Sequence, residues 1–123
     1  MNVKINQKTY LVPMLDFEDF VRMESELGIS LITAFKQKQM FVMVAAFVLI
    51  VADLEGQDAY ELVDQHIKGG GNIIDLMQAF TKAAGDSDFF SKMLGMDKKE
   101  EANKGKSTNR KKLTVVEAGE DDL

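Results

Sequence analysis

The only histidine in the chain is the first residue to test for chemistry. His66 follows Tyr60 and Asp64, but the 123 residues include no cysteine and no second histidine. A catalytic triad needs a nucleophile beside the imidazole, and a zinc site needs three or four ligands. The sequence therefore predicts that His66 is a surface residue of a helix, with no catalytic or metal-binding role.

Three consecutive glycines at residues 69–71, followed by Asn72, are the second candidate. Backbone amides at the start of a helix can hold a phosphate group. However, no Lys-Ser or Lys-Thr pair follows, and no strand is predicted before the glycines, so neither the P-loop nor the dinucleotide-binding pattern is met. We interpret the glycines as a flexible link between two helices and expect no cofactor.

A cluster of carboxylates near the N-terminus is the third candidate, since paired acids can transfer protons or bind divalent ions. The spacing of a calcium-binding loop is absent, and the acids fall on the polar side of an amphipathic helix, so a solvated face is expected. The cluster comprises Asp16, Glu18, Asp19, Glu24 and Glu26. With no catalytic, cofactor-binding or metal-binding residue predicted, the chain is not expected to be an enzyme.

The N-terminal segment predicts a β-hairpin and then a helix. Apolar and polar residues alternate in residues 2–5 and 9–12, which indicates two paired strands, and Pro13 ends the second. Asp16 is a typical N-cap of the first helix and Gly28 a typical C-cap. Ser30 is placed to cap the helical stretch that follows.

Residues 40–52 are apolar without exception, which is typical of a helix that is buried or spans a membrane. Thirteen helical residues cover about 20 Å, whereas a membrane span needs roughly 20 residues. Polar residues on both sides prevent any extension. A buried central helix is therefore predicted and no membrane is expected as a partner, although a strand and a membrane-associated accessory protein remain alternatives.

Four further features divide the second half of the chain. Gly56 is expected to close the central helix, and Gln57 or Asp58 to start the next one. Asn72 is a typical N-cap for the helix after the glycines, and the Gly-Asp-Ser segment at residues 85–87 is expected to interrupt it. The predicted fold class is mainly α: a small domain of about four helices with a short N-terminal β-hairpin.

Composition divides the chain into a helical domain at residues 1–95 and a charged tail at residues 96–123, which is predicted to be disordered. Residues 1–97 carry 8 Lys and Arg against 14 Asp and Glu, a net charge of −6, and residues 98–123 carry 7 against 6, a net charge of +1. The acidic body argues against nucleic acid as a partner. The lack of cysteine and of a signal-peptide pattern favours the cytoplasm.

Eight methionines are many for a chain of this length. Methionine is flexible and is common on surfaces that bind varied apolar partners. The alternative is that these residues fill the core, and the sequence leaves both interpretations open.

Two short motifs and their order carry a resemblance to a known family. Residues 27–31 read Leu-Gly-Ile-Ser-Leu at the end of the acidic helix, and residues 87–90 read Ser-Asp-Phe-Phe in the last helix. With the hairpin in front, residues 1–94 resemble the tail assembly chaperones of long-tailed phages and prophages of Gram-positive bacteria. The motifs are short, and their order and spacing carry the resemblance.

The resemblance implies a non-catalytic role in virion assembly. Such chaperones bind the tape measure protein, keep its apolar stretches soluble and help to recruit the tail tube protein. They act in the cytoplasm of the bacterial host and are absent from the mature virion. Many are also made in a frameshifted longer form, and Lys111 and Lys112 are compatible with a slippery run of adenines. A homo-oligomer is expected because several copies coat one client.

In this interpretation an apolar groove between helices holds a client helix. Aromatic and methionine side chains are predicted as its anchors because they adapt to many client segments. The predicted client-binding residues are Phe17, Phe20, Met23, Phe89, Phe90 and Met93.

The alternative function is a small helical adaptor or regulatory protein that binds one specific partner through its tail. Deletion of residues 97–123 would then abolish function, whereas a chaperone would retain client binding.

Overall fold

The chain folds into a two-stranded hairpin followed by six helices. A computed structural model describes residues 1–95. The elements are β1 (Asn2–Ile5), β2 (Lys8–Leu11), α1 (Phe17–Leu27), α2 (Leu31–Lys36), α3 (Met40–Val51), α4 (Gly56–Lys68), α5 (Ile73–Asp86) and α6 (Asp88–Met93). The predicted mainly helical fold with an N-terminal hairpin is confirmed, and the short helices α2 and α6 bring the number of helices in these residues above the four expected. The tail predicted at residues 96–123 lies outside the described residues.

The hairpin is closed by a two-residue loop. Asn6 and Gln7 both have positive φ angles, 48° and 70°, as a type I′ turn requires. Such a turn matches the twist of the strands and pairs Ile5 directly with Lys8 in antiparallel register. The second strand therefore starts at Lys8, one residue earlier than predicted. Val3 and Ile5 face the helices and are buried.

Local capping defines the ends of α1 and the start of α2, as predicted. The Asp16 side chain accepts a hydrogen bond from the first turn, and Asp19 reaches back to the Asp16 amide at 3.0 Å, which completes a capping box. Gly28 ends α1 in the left-handed conformation, with φ of 63°. The Ser30 hydroxyl accepts a hydrogen bond from the Thr33 amide at the start of α2.

Helix α3 is the centre of the core. All of residues 43–50 are buried, and α3 packs against α1, α2, α4 and α5. Because partners surround it, apolar side chains are needed on every face. The predicted buried central helix is confirmed. Within residues 1–95 no single helix is long and apolar enough to cross a membrane, and α3 and α4 meet that test only as a pair bent by 108°.

The predicted helix end at Gly56 is wrong. Helix α3 ends at Val51 without Gly56, and Gly56 is instead the first residue of α4. A Cβ at Gly56 would collide with the main-chain oxygen of Glu26, so the glycine allows α4 to approach α1. The predicted interruption at residues 85–87 is confirmed: α5 continues through Gly85 to Asp86, and the break falls at buried Ser87, whose hydroxyl caps α6.

Candidate functional site

A chain of six phenylalanine rings runs from the surface into the core. At its outer end, the rings of Phe17 in α1 and Phe89 in α6 meet edge to face, 5.4 Å between centroids. Phe20 contacts both Phe89 and Phe90, at 5.4 and 5.5 Å. The inner rings are those of Phe80 and Phe47, stacked at 5.4 Å. These contacts fix α6 against α1 and α5, because edge-to-face and offset pairs add stability beyond apolar burial.

An apolar surface continues from the outer end of this chain of rings. Met93 lies one turn after Phe89, so both project from the same face of α6. Beyond Met93, a groove of about 330 Å³ separates α6 from α2. Side chains of Ile32 and Phe35 form its α2 wall. We call the continuous surface of Phe17, Phe89, Met93, Ile32 and Phe35 the apolar strip.

The predicted client-binding residues divide into two groups. Phe17 and Met93 lie on the surface, with exposed fractions of 56% and 41%, and Phe89 is half-buried between them. Phe20, Met23 and Phe90 are buried in the core. The structure therefore places the second group beneath the apolar strip, where they support the surface without reaching a partner. Ile32 and Phe35 were missed by the sequence analysis because α2 is too short to show a clear apolar periodicity.

Two carboxylates of helix α1 bond to other helices, which corrects the prediction of a solvated face. The Glu24 carboxylate accepts a hydrogen bond from the Leu31 amide at 2.8 Å and so caps α2. The Glu26 carboxylate accepts one from the Gly56 amide at 3.2 Å, at the start of α4. Negative charge at a helix N-terminus is favourable, so both residues join α1 to another helix. In the sequence, Glu24 stands at helical spacing from Phe20 and Leu27 and so interrupts their apolar stripe, which is the signal for this role.

His66 is buried, so the prediction of a surface histidine is wrong. Its Nδ1 accepts a hydrogen bond from the Asn6 amide at 2.8 Å, and its Nε2 lies 3.4 Å from the Asn72 carbonyl oxygen. A Cβ at Gly71 would collide with the imidazole ring, so the glycine makes room for it. The ring thus holds the hairpin turn to the loop between α4 and α5. Sequence periodicity missed this role because Asn6, whose amide donates to the ring, lies 60 residues away.

A cleft of about 460 Å³ lies beside this histidine, between the hairpin and the start of α5. Its charged side chains include Lys4 and Asp75. Within residues 1–95, no three His, Cys, Asp or Glu side chains are grouped closely enough to hold a metal ion. Both nitrogens of the histidine face backbone groups, so the arrangement serves to connect two loops.

We expect His66→Ala to lower the free energy of unfolding by about 1 kcal/mol, because the Asn6 amide loses its acceptor. The expected loss is at the lower end of the range for a buried donor without an acceptor, because water in the adjoining cleft can reach the Asn6 amide. Urea denaturation measures the change, and hydrogen exchange of the Asn6 amide should accelerate. Gln65→Ala, at an exposed neighbouring position, is the control. Unchanged exchange at Asn6 would contradict the assigned role of His66.

No protein-family model matches this chain, and no curated protein or solved structure is significantly similar to it.

Proposed function

We propose that this protein is a phage tail assembly chaperone that binds the tape measure protein through the apolar strip. The observation that carries the proposal is the exposure of Phe17 and Met93 on a surface that rests on a fixed aromatic core. Soluble proteins seldom expose connected large apolar side chains without a partner. A tape measure protein is long and helical, and an amphipathic helix would offer an apolar face of the matching kind.

The charge of the body supports the same function. Residues 1–97 carry a net charge of −6. Copies that coat one client would repel other coated clients and keep them in solution. Binding of several copies along one chain would also strengthen individually weak contacts. The proposed partners are the tape measure protein, the tail tube protein and a frameshifted longer form, in the host cytoplasm and outside the finished virion.

Substitution of the two most exposed residues of the apolar strip tests the proposal. We expect Phe17→Ser with Met93→Ser to weaken client binding by about tenfold or more, because central aromatic and methionine anchors carry most of the affinity at such surfaces. The measurement is co-expression with the long tape-measure-like protein of the same genome. The client's soluble fraction and its retention in an affinity pull-down are then compared with those of the unmodified chain.

A matched control distinguishes the effect of changing the apolar strip from the effect of changing any exposed apolar residue. Phe41 and Ile74 are exposed by 58% and 42%, close to the values of Phe17 and Met93, and lie outside the strip. We expect Phe41→Ser with Ile74→Ser to leave client solubility unchanged. Equal losses from the two double variants would contradict the assigned surface. A client that stays insoluble with the unmodified chain, with no complex formed, would contradict the function itself.

A further inference from the structure

The groove between α2 and α6 has basic side chains at its edge. Lys36 ends α2 and Lys92 lies in α6, and both line the groove beside Ile32, Phe35 and Met93. The ion pairs among residues 1–95 are Arg22–Asp53, Lys68–Asp64 and Lys82–Asp86, so neither groove lysine is neutralised by a described carboxylate. An occupant that suits this groove carries a few apolar side chains next to acidic ones.

The chain itself contains such a segment. Residues 113–116 read Leu-Thr-Val-Val and are the only apolar run after residue 97. The next six residues, 117–122, include four acids and no basic residue. The apolar run thus matches the apolar walls of the groove, and the acids that follow it have the opposite charge to the groove lysines.

We propose that residues 113–116 bind in the α2–α6 groove of the same molecule, with the acids of residues 117–122 near Lys36 and Lys92. The groove, at about 330 Å³, is at the small end of the range for ligand pockets. It therefore accommodates a few side chains of an extended segment more readily than the whole face of a helix.

The connection is long enough for this contact. Gly95 itself lines the groove, and 17 residues separate it from Leu113. Seventeen residues reach at most about 56–61 Å, which is enough for the chain to return to the groove beside Gly95. Effective concentrations of two sites joined by a short linker are about millimolar, so even a contact with a Kd of about 1 mM is half-occupied within one molecule.

This contact would restrict the groove end of the apolar strip to partners that can displace residues 113–116. If the tape measure protein uses the same groove, a consequence that rests on the proposed function, it must displace residues 113–116. The contact within the chain does not depend on any client, and its test contains none. Failure of this test therefore leaves the chaperone proposal standing, and failure of the client experiment leaves this proposal standing.

Disulfide trapping in the full chain tests the contact, since the natural sequence has no cysteine. The test pair is Met93→Cys with Val115→Cys. The control pair is Gly85→Cys with Val115→Cys, because Gly85 is exposed, lies outside the groove, and has open space around an added Cβ. The disulfides of the test and control pairs would close loops of similar length, 22 and 30 residues. The entropy of loop closure alone therefore favours the test pair by less than about twofold.

We expect the test pair to form an intramolecular disulfide at least about tenfold faster than the control pair, at micromolar protein under mild oxidation, a ratio well above that from loop closure. Electrophoresis without reductant and intact mass separate monomer from dimer, and circular dichroism confirms that both variants are folded. Equal rates within about twofold would overturn the proposal. A disulfide-linked dimer as the main product would overturn it in favour of a second copy in the groove.

The charge contribution is tested on the tail, away from the thiols. Glu120→Lys, Asp121→Lys and Asp122→Lys are introduced together into both cysteine pairs. We expect the ratio of the two rates to fall severalfold, because the groove lysines would then face like charges. An unchanged ratio would contradict the assigned contact with Lys36 and Lys92.

Discussion

Phe90→Ala should lower the free energy of unfolding by about 3–5 kcal/mol, the usual cost of truncating a buried phenylalanine. Phe90 is fully buried and its ring contacts those of Phe20 and Phe80, so its loss leaves a cavity where α1, α5 and α6 meet. Small domains are stable by only about 5–15 kcal/mol, so a large part of the stability would disappear. Urea denaturation followed by circular dichroism measures the change.

The matched control is Phe17→Ala at the outer end of the same chain of rings. Phe17 is 56% exposed, so we expect its truncation to cost no more than about 1 kcal/mol. Similar losses in the free energy of unfolding at the two positions would contradict the assignment of Phe90 to the core and Phe17 to the surface. The contrast also affects tests of function. Loss of client binding in a Phe90 variant would result from unfolding, whereas loss in a Phe17 variant would result from a changed binding surface.

Gly56→Ala should cost about 3 kcal/mol, the upper end of the range for overpacked substitutions. The new methyl group would collide with the main-chain oxygen of Glu26, and a main-chain atom cannot move aside by a rotamer change. Separation of α4 from α1 would also lengthen the hydrogen bond from the Gly56 amide to the Glu26 carboxylate. The midpoint of urea denaturation should fall accordingly.

Gly85→Ala is the matched control, since Gly85 lies within a helix and nothing surrounds its Cβ position. Alanine is favoured over glycine in a helix, so we expect a gain of about 0.5–1 kcal/mol. The same substitution should therefore have opposite signs at the two positions. A loss of stability at Gly85, or no loss at Gly56, would show that the close approach of α1 and α4 has been misassigned.

The sequence predicts best the features that depend on neighbouring residues. Three predicted helix caps are confirmed: the N-caps Asp16 and Asn72 and the C-cap Gly28. The central helix follows from a continuous apolar run that is too short to span a membrane. In each case the decisive interaction lies within a few residues of the signal, so no knowledge of the packing is needed.

Features that depend on packing between distant residues were not predictable. His66 is buried because the hairpin, 60 residues earlier in the chain, places the Asn6 amide against its ring. Gly56 is required because α1 approaches it, and a glycine between helices otherwise indicates a helix end. The same limit applies to the site: Phe17 and Phe20 share one apolar stripe, and only the position of α6 determines that Phe20 is covered and Phe17 is exposed.

The apolar character of α3 has a consequence during synthesis of the chain on the ribosome. Its partners α1 and α2 precede it along the chain, but α4 and α5 follow, and α5 ends 35 residues after α3. Synthesis proceeds at about 5–20 residues per second, so α3 lacks these later partners for about 2–7 seconds on the ribosome. During that interval the nascent chain presents its most aggregation-prone segment. Slow synthesis between the emergence of α3 and that of α5 should therefore lower the yield of folded protein without any change in its final stability.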